Sequence, residues 1–498
     1  VPPSAPARSR FAPRVLALGL AAVATALLIF GVGALAAGEQ ASGFFAAALI
    51  SVGMGLPGFV GAKDPGEPSR REALLSVLAL WLVVPAVGAV PYWVSGHMGW
   101  MDAAFESMSG FTTTGATVLT DFGAFSPTLF LWRAFTQWVG GIGIIVLFVA
   151  VFPQLAIAGR QLFLTETPGP SEDRFTPRLR STARAVLTVY LALTFAAFIA
   201  YLLSGLSTFD ALAHAWTTLS AGGFSPHPRS LEVFGAATQW VAIVFMTLAG
   251  ANFALQYRAL MGRPVVLLRD FEFRAYLLIA AVVSGGMAAI LMAFDQPDSI
   301  RHALFQTMSI MTTTGYASVG FVQWPQQAQA LLLVLMFVGG SAGSAAGGVK
   351  VARLLIVAKN FAREIRRTLH PRAVLPVTLG SRMVPEDVLR AVGAFLTLYV
   401  GLFAVVAGIL GVAGHDFTTS FTASIATLGN IGPGLGEVGP MGSFASFPDL
   451  EKGLLIFSMY AGRLEVVTVF VLFTSEWWRA PRARRIPAAS MRGESRRE

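Results

Sequence analysis

Cysteine is absent from the 498 residues, and histidine occurs only six times. The first absence excludes disulfides and thiolate-bound metal. The second, with the histidines scattered at positions 97, 214, 227, 302, 370 and 415, argues against a structural zinc site. Charge is scarce too: 13% of the residues are Asp, Glu, Lys or Arg, where an ordinary soluble domain carries about 25%. No nucleophile–base pair, metal cluster or redox motif stands out, so neither an enzyme nor a covalent cofactor is expected. The net charge of +9 does not read as a nucleic-acid footprint, because the basic residues sit beside apolar stretches.

What is plentiful is apolar sequence. Hydrophobic residues make up 55% of the chain and mean hydropathy is +0.65. A hydrocarbon crossing needs roughly 20 apolar residues. Ten candidate spans follow: 15–37, 43–61, 73–94, 129–152, 185–205, 235–257, 273–294, 328–349, 388–412 and 453–475. The first is longer than a signal-peptide core and is soon followed by another, so no cleavable signal peptide is expected. The eighth is too rich in glycine to read as one straight helix.

Basic residues cluster in alternate connections: Arg8, Arg10 and Arg14; Lys63, Arg70 and Arg71; Arg160, Arg174, Arg178, Arg180 and Arg184; Arg258, Arg263, Arg269 and Arg274; Lys359, Arg363, Arg366, Arg367, Arg372, Arg382 and Arg390; and the tail from Arg479. With ten alternating spans all fall on one side, which the positive-inside rule makes the cytoplasm, together with both termini. The opposite side carries Asp102, Asp121, Asp210, Asp295, Asp298, Asp416, Glu437 and Asp449. These suit an acidic vestibule that concentrates cations, or ordinary solvated loop acids.

Four short segments rich in small residues lie between pairs of spans: FESMSGFTTTG (105–115), AHAWTTLSAGG (213–223), FQTMSIMTTTG (305–315) and TASIATLGNIG (422–432). The first and third align at an offset of 200, the first and second at 108. In the fourth, Gly432 is aligned with Gly115, with Gly429 and Gly434 as alternatives. Irregular backbone at membrane depth is tolerated only where it is buried in protein or lines a watery cavity. A dehydrated ion needs several oxygens turned toward it, and glycine permits the backbone to present them. The residues expected to form a selectivity filter are Thr112, Thr113, Thr114 and Gly115; Ser220, Ala221, Gly222 and Gly223; Thr312, Thr313, Thr314 and Gly315; and Gly429, Asn430, Ile431 and Gly432. The expected fold is an all-α polytopic membrane protein, with four helix–re-entrant loop–helix repeats around a pseudo-fourfold pore and an extra N-terminal helix pair. Its divisions are 1–72, 73–184, 185–272, 273–387 and 388–498.

On the segments SGFTTTGATVL (109–119), LSAGGFS (219–225), MTTTGYASVG (311–320), GNIGPGLG (429–436) and AGRLEVVTVFVLF (461–473), the sequence resembles the Trk/Ktr/HKT superfamily of potassium transporters, nearest to the Trk-type membrane subunit of prokaryotes. The resemblance implies potassium uptake, a homodimer, and one central filter glycine per loop: Gly115, Gly223, Gly315 and Gly432. It also implies a separate cytoplasmic subunit with Rossmann-like nucleotide-binding domains. The Arg-rich 359–372 segment is a docking candidate for that subunit, or for anionic membrane lipid.

The segment FVGGSAGSAAGGVK (337–350) contains Gly339, Gly340, Gly343, Gly347 and Gly348. Each glycine weakens a helix interior by about 1 kcal/mol relative to alanine, so a broken helix below the filter is expected to serve as a gate; helix packing is the rival reading. It lacks the G-K-[ST] ending of a phosphate-binding loop. Lys350 is either part of this constriction or a snorkelling interfacial lysine. Arg463 is an intramembrane charge that the resemblance places beneath the filter, with loop anchoring as its rival role. Glu465 is too close in sequence to share its helix face. Parallel repeats favour a gated channel driven by the potassium gradient. A symporter obligatorily coupled to sodium or protons is the alternative.

Overall fold

The computed structural model describes residues 11–60, 70–150, 175–380 and 382–478. Arg8, Arg10, Lys63, Arg160, Arg174 and the tail from Arg479 lie outside the described residues. Among the described residues the fold is helical apart from one two-residue antiparallel ladder pairing Thr378–Leu379 with Arg382–Met383.

Helices α1 (Phe11–Ala36) and α2 (Ser42–Val60) form the N-terminal pair. Their close approach uses small residues, as association within lipid favours: a methyl on Gly55 would touch Ala17 Cα at 3.6 Å. Unit one runs through α3 (Arg70–Gly88), α4 (Val90–Val94), the short α5 (Trp100–Phe111) and α6 (Pro127–Ala150). Unit two comprises α7 (Phe175–Leu203), the short α8 (Thr208–Leu219), α9 (Ala236–Ala249), α10 (Phe253–Leu260) and α11 (Val265–Arg269). Unit three comprises α12 (Phe271–Ala293), the short α13 (Ser299–Met311), α14 (Gln326–Leu335) and α15 (Val351–Leu369). Unit four comprises α16 (Glu386–Val412), the short α17 (Phe417–Leu428), α18 (Asp449–Arg463) and α19 (Val466–Phe470), followed by α20 (Ser475–Trp478).

Six of the long helices are apolar enough to cross a bilayer. Two expected spans prove to be broken. The 235–257 stretch is α9 and α10, bent by 103°, and the 453–475 stretch is α18 followed by a segment bent by 113°. The 328–349 stretch leaves the helix after Leu335 and continues as a loop to Lys350. The 103° and 113° bends do not show in hydropathy, because each stretch as a whole averages apolar. The short helices α5, α8, α13 and α17 form the buried centre, with Phe105, Ala215, Phe305 and Ala426 all fully buried.

Candidate functional site

Each short helix ends in the same way. At the termini the residues Thr113, Ala221, Thr313 and Asn430 adopt φ of +52°, +54°, +57° and +53°. Their N–H groups donate to the carbonyls of Gly110, Thr218, Ile310 and Thr427 at 2.9–3.2 Å. The next residues, Thr114, Gly222, Thr314 and Ile431, donate to the carbonyls of Ser109, Thr217, Ser309 and Ala426 at 2.8–2.9 Å. This is a Schellman ending, usually built on glycine. Here L-residues occupy the left-handed position, at about 1–2 kcal/mol each. For threonine, branched at Cβ, the conformation is a true outlier of the kind that surrounding structure must hold in place.

Two residues beyond each strained residue stand Gly115, Gly223, Gly315 and Gly432, with φ of +82°, +75°, +78° and +97°. A methyl on Gly115 would overlap the carbonyl oxygen of Gly222, one on Gly223 that of Thr314, and one on Gly315 that of Ile431. A methyl on Gly432 would stand 2.6 Å from the carbonyl oxygen of Thr114. Loop one thus abuts loop two, two abuts three, three abuts four, and four returns to one. The ring is closed, and the repeated pair of positive φ values places Gly432, not Gly429 or Gly434, in register with the other three.

All four glycines line one cavity of about 230 Å³. Its ionisable lining residues are Arg133 and His227, and none of the eight loop acids lines it. Four of them do other work. Asp102 pairs with Lys452 at 2.6 Å, Asp210 with His227 at 2.8 Å and Asp298 with Arg301 at 2.5 Å. Asp416 caps α17 by accepting the Thr419 N–H at 3.0 Å. The cavity at the ring therefore has no acidic lining, and four of the eight acids serve as caps or ion-pair partners.

The ring is braced by residues that the sequence reading did not single out. Nine positions before the glycine lie Glu106, His214 and Gln306, each holding the chain just past its own glycine. Glu106 accepts from the Val118 N–H at 3.0 Å and the Thr117 hydroxyl at 2.9 Å, and pairs with Arg133 at 2.6 Å. Arg133 reaches on to the Ser225 carbonyl of unit two at 2.9 Å and stacks 3.5 Å from the Phe224 ring centroid. His214 meets the Ser225 hydroxyl at 3.1 Å and stacks with His227 at 6.4 Å, so these two histidines are not isolated. The Gln306 amide faces the Ser318 N–H at 2.8 Å and the Tyr316 carbonyl at 3.2 Å. From α6, Gln137 donates to the Gly222 carbonyl at 2.7 Å and accepts from the Phe224 N–H at 3.0 Å. The repeat offsets align Glu106, His214 and Gln306, and that alignment was the available signal.

The segment 336–350 lies against the inner end of this ring. The Gly347 N–H donates to Thr313 Oγ1 at 2.6 Å. A methyl on Gly347 would stand 2.6 Å from the Gly429 carbonyl oxygen and 3.0 Å from Asn430 Cβ. The loop closes on itself where the Gly339 N–H donates to the Val349 carbonyl at 2.8 Å. Lys350 is buried and donates to the Ala346 carbonyl, so it does not snorkel to the interface. Arg463 is buried at the last turn of α18, where helix carbonyls favour a cation. It donates to the Ala345 carbonyl at 3.1 Å and reaches toward the Gly140 carbonyl at 3.5 Å. Glu465 instead takes Arg353 of α15, at 2.6 Å to both carboxylate oxygens.

The sequence model of the TrkH family, described as cation transport protein, matches residues 44–479. The Trk system potassium uptake protein TrkH of Vibrio parahaemolyticus is 39% identical over 433 residues, covering 85% of this chain and 89% of that protein. The TrkH protein of Escherichia coli K12 is 38% identical over 426 residues, covering 84% of this chain and 88% of that protein. A crystal structure described as the potassium transporter TrkH from Vibrio parahaemolyticus superposes with a TM-score of 0.86 at 35% identity, covering 94% of this chain and 99% of that one. The chain belongs to the TrkH family of cation transport proteins: it is a multi-pass, all-helical membrane protein and not an enzyme.

Proposed function

We propose that this chain takes up potassium across the cytoplasmic membrane through a gated, channel-like pore. The observation that carries the reading is the closed ring of four loops, whose glycines face one cavity. Residues 112–115, 220–223, 312–315 and 429–432 are assigned as the filter, their carbonyl oxygens replacing the ion's water. The four short helices aim their carboxyl ends at the ring, adding partial negative charge where a cation dehydrates. Potassium as the permeant ion is supported by what the named relatives transport.

Loop 336–350, with Gly339, Gly340, Gly343, Gly347, Gly348 and Lys350, is assigned as the gate, and Arg463 as the tether that holds it and opposes cations below the filter. The five divisions at 1–72, 73–184, 185–272, 273–387 and 388–498 follow the repeats. Inward movement is driven by the membrane potential, at about 2.3 kcal/mol per charge per 100 mV. A homodimer, and a cytoplasmic nucleotide-binding subunit docking on the exposed arginines of α15, complete the reading; the relatives are named as parts of a Trk system, which supports further components. The basic connections support a topology with both termini in the cytoplasm.

The test is reversal potentials and single-channel currents of the purified protein in liposomes, with potassium and sodium gradients and no proton gradient. Discrete currents reversing near the potassium equilibrium potential are expected. Potassium movement only when a sodium or proton gradient is supplied would replace this reading with coupled symport.

A further inference from the structure

Along its length the loop 336–350 is fastened to the broken helix of unit two. The Ser341 N–H donates to the Gly250 carbonyl at 2.8 Å and the Ala345 N–H to the Ala249 carbonyl at 3.1 Å. Both acceptors are free because α9 stops there. In return, the Phe253 N–H at the start of α10 donates to the Gly343 carbonyl at 3.1 Å. Asn252, in the bend itself, donates through Nδ2 to the Ala342 carbonyl at 2.7 Å while its Oδ1 caps α10 by accepting the Leu255 N–H at 3.0 Å.

The N–H of the same residue, Ala342, is held by Glu272, in the first turn of α12. Glu272 Oε1 accepts the Ala342 N–H at 2.7 Å and also the Ala352 N–H at 3.2 Å, in the first turn of α15. Helix α15 has no capping side chain of its own, so this acceptor oxygen supplies the cap. One oxygen therefore ties the descending limb of the loop to the helix that follows it.

We propose that Asn252 and Glu272 are positioning residues that seat the loop in its blocking position, and that the bend between α9 and α10 is the receptacle for it. The inference rests on reading 336–350 as the gate. A helix break at membrane depth leaves backbone groups that need partners; here the loop satisfies them, so withdrawing it requires water to take its place. The two residues bracket a single stretch, α10 and α11. Displacing that stretch strains both attachments at once, which gives a route by which force on the membrane surface reaches the pore.

The test is rubidium tracer flux through the full-length protein in liposomes, with correct assembly of each variant checked by size exclusion. A variant lacking residues 343–346 reports on the gate itself and is expected to raise flux. Glu272→Ala and Asn252→Ala are each expected to raise basal flux about tenfold, whereas Glu272→Gln, which keeps an acceptor oxygen, stays within about twofold of the parent. If Glu272→Ala does not assemble, Asn252→Ala carries the comparison. Raised flux on loop removal, with both alanine variants at the parental level, would overturn the seat and leave the gate standing. Equal leak from Glu272→Gln and Glu272→Ala would also overturn it, since charge rather than the hydrogen bond would then hold the loop. Unchanged flux on loop removal would sink the gate reading, and the seat with it.

Discussion

At Gly223 the backbone leaves no room for a side chain: φ is +75° and a methyl would overlap the Thr314 carbonyl oxygen of the next loop. Gly223→Ala should therefore lower rubidium uptake at least about tenfold, by moving the carbonyl that a dehydrating ion needs, with membrane expression unchanged. A tracer-uptake assay in cells lacking other potassium uptake reads this directly, and near-parental uptake would remove Gly223 from the filter. Glu106 is a different case, since its charge is wholly buried and paired with Arg133. Removing one partner of such a pair costs about 3–5 kcal/mol. Glu106→Ala should lower the thermal midpoint in detergent and weaken discrimination against sodium, while Glu106→Gln, which still accepts from Val118, loses less of both. Equal melting of all three proteins would show that Arg133 does not depend on Glu106.

The elements repeat, but they are not equivalent. Loops one and three carry the same threonine run, and in both the first and third hydroxyls meet, at 2.7 Å and 2.8 Å. Only the middle threonine of loop three, Thr313, accepts from the 336–350 loop, through the Gly347 N–H. Thr313→Val removes that acceptor, and a net hydrogen bond is worth about 0.5–1.5 kcal/mol. Open probability in single-channel records should rise about threefold to tenfold for Thr313→Val, with no comparable rise for Thr113→Val. The same rise in both variants would locate the effect in the filter and not in its link to the loop. The breaks in the helices after loops two, three and four belong to this scale too. At the second, backbone groups freed by the break are taken up by the loop of the third unit.

For the whole molecule, orientation is the open quantity, and the absence of cysteine makes it simple to measure. Phe417 and Leu369 are both largely exposed, at 79% and 73%, and the proposed topology, with the basic connections inside, predicts that they face opposite sides of the membrane. A cysteine replacing Phe417 should react with an impermeant maleimide in intact cells; one replacing Leu369 should react only after permeabilisation. The reverse pattern would invert the topology and turn the 230 Å³ cavity toward the cytoplasm.

Local requirements wrote the repeats into the chain. A span needs a run of apolar residues, a basic connection stays on one side, and a backbone that must pass under a neighbouring carbonyl needs glycine. The long unbroken spans, the four loops and Gly115, Gly223, Gly315 and Gly432 were therefore legible in the sequence. The fourth register was less so, because Gly429, Gly432 and Gly434 are alike in composition and only backbone angles separate them. What tertiary structure alone decided are the relations between distant segments. The bends at 250–252 and 464–465 lie in apolar stretches that hydropathy reads as continuous. Asp102 became half of an ion pair because its partner, Lys452, comes from another unit. Glu106, His214 and Gln306 share one task with three different chemistries, so no common residue type marked them. Periodicity and composition act over a few residues at a time; a hydrogen bond between Glu272 and Ala342 joins positions that only the packed helices bring together.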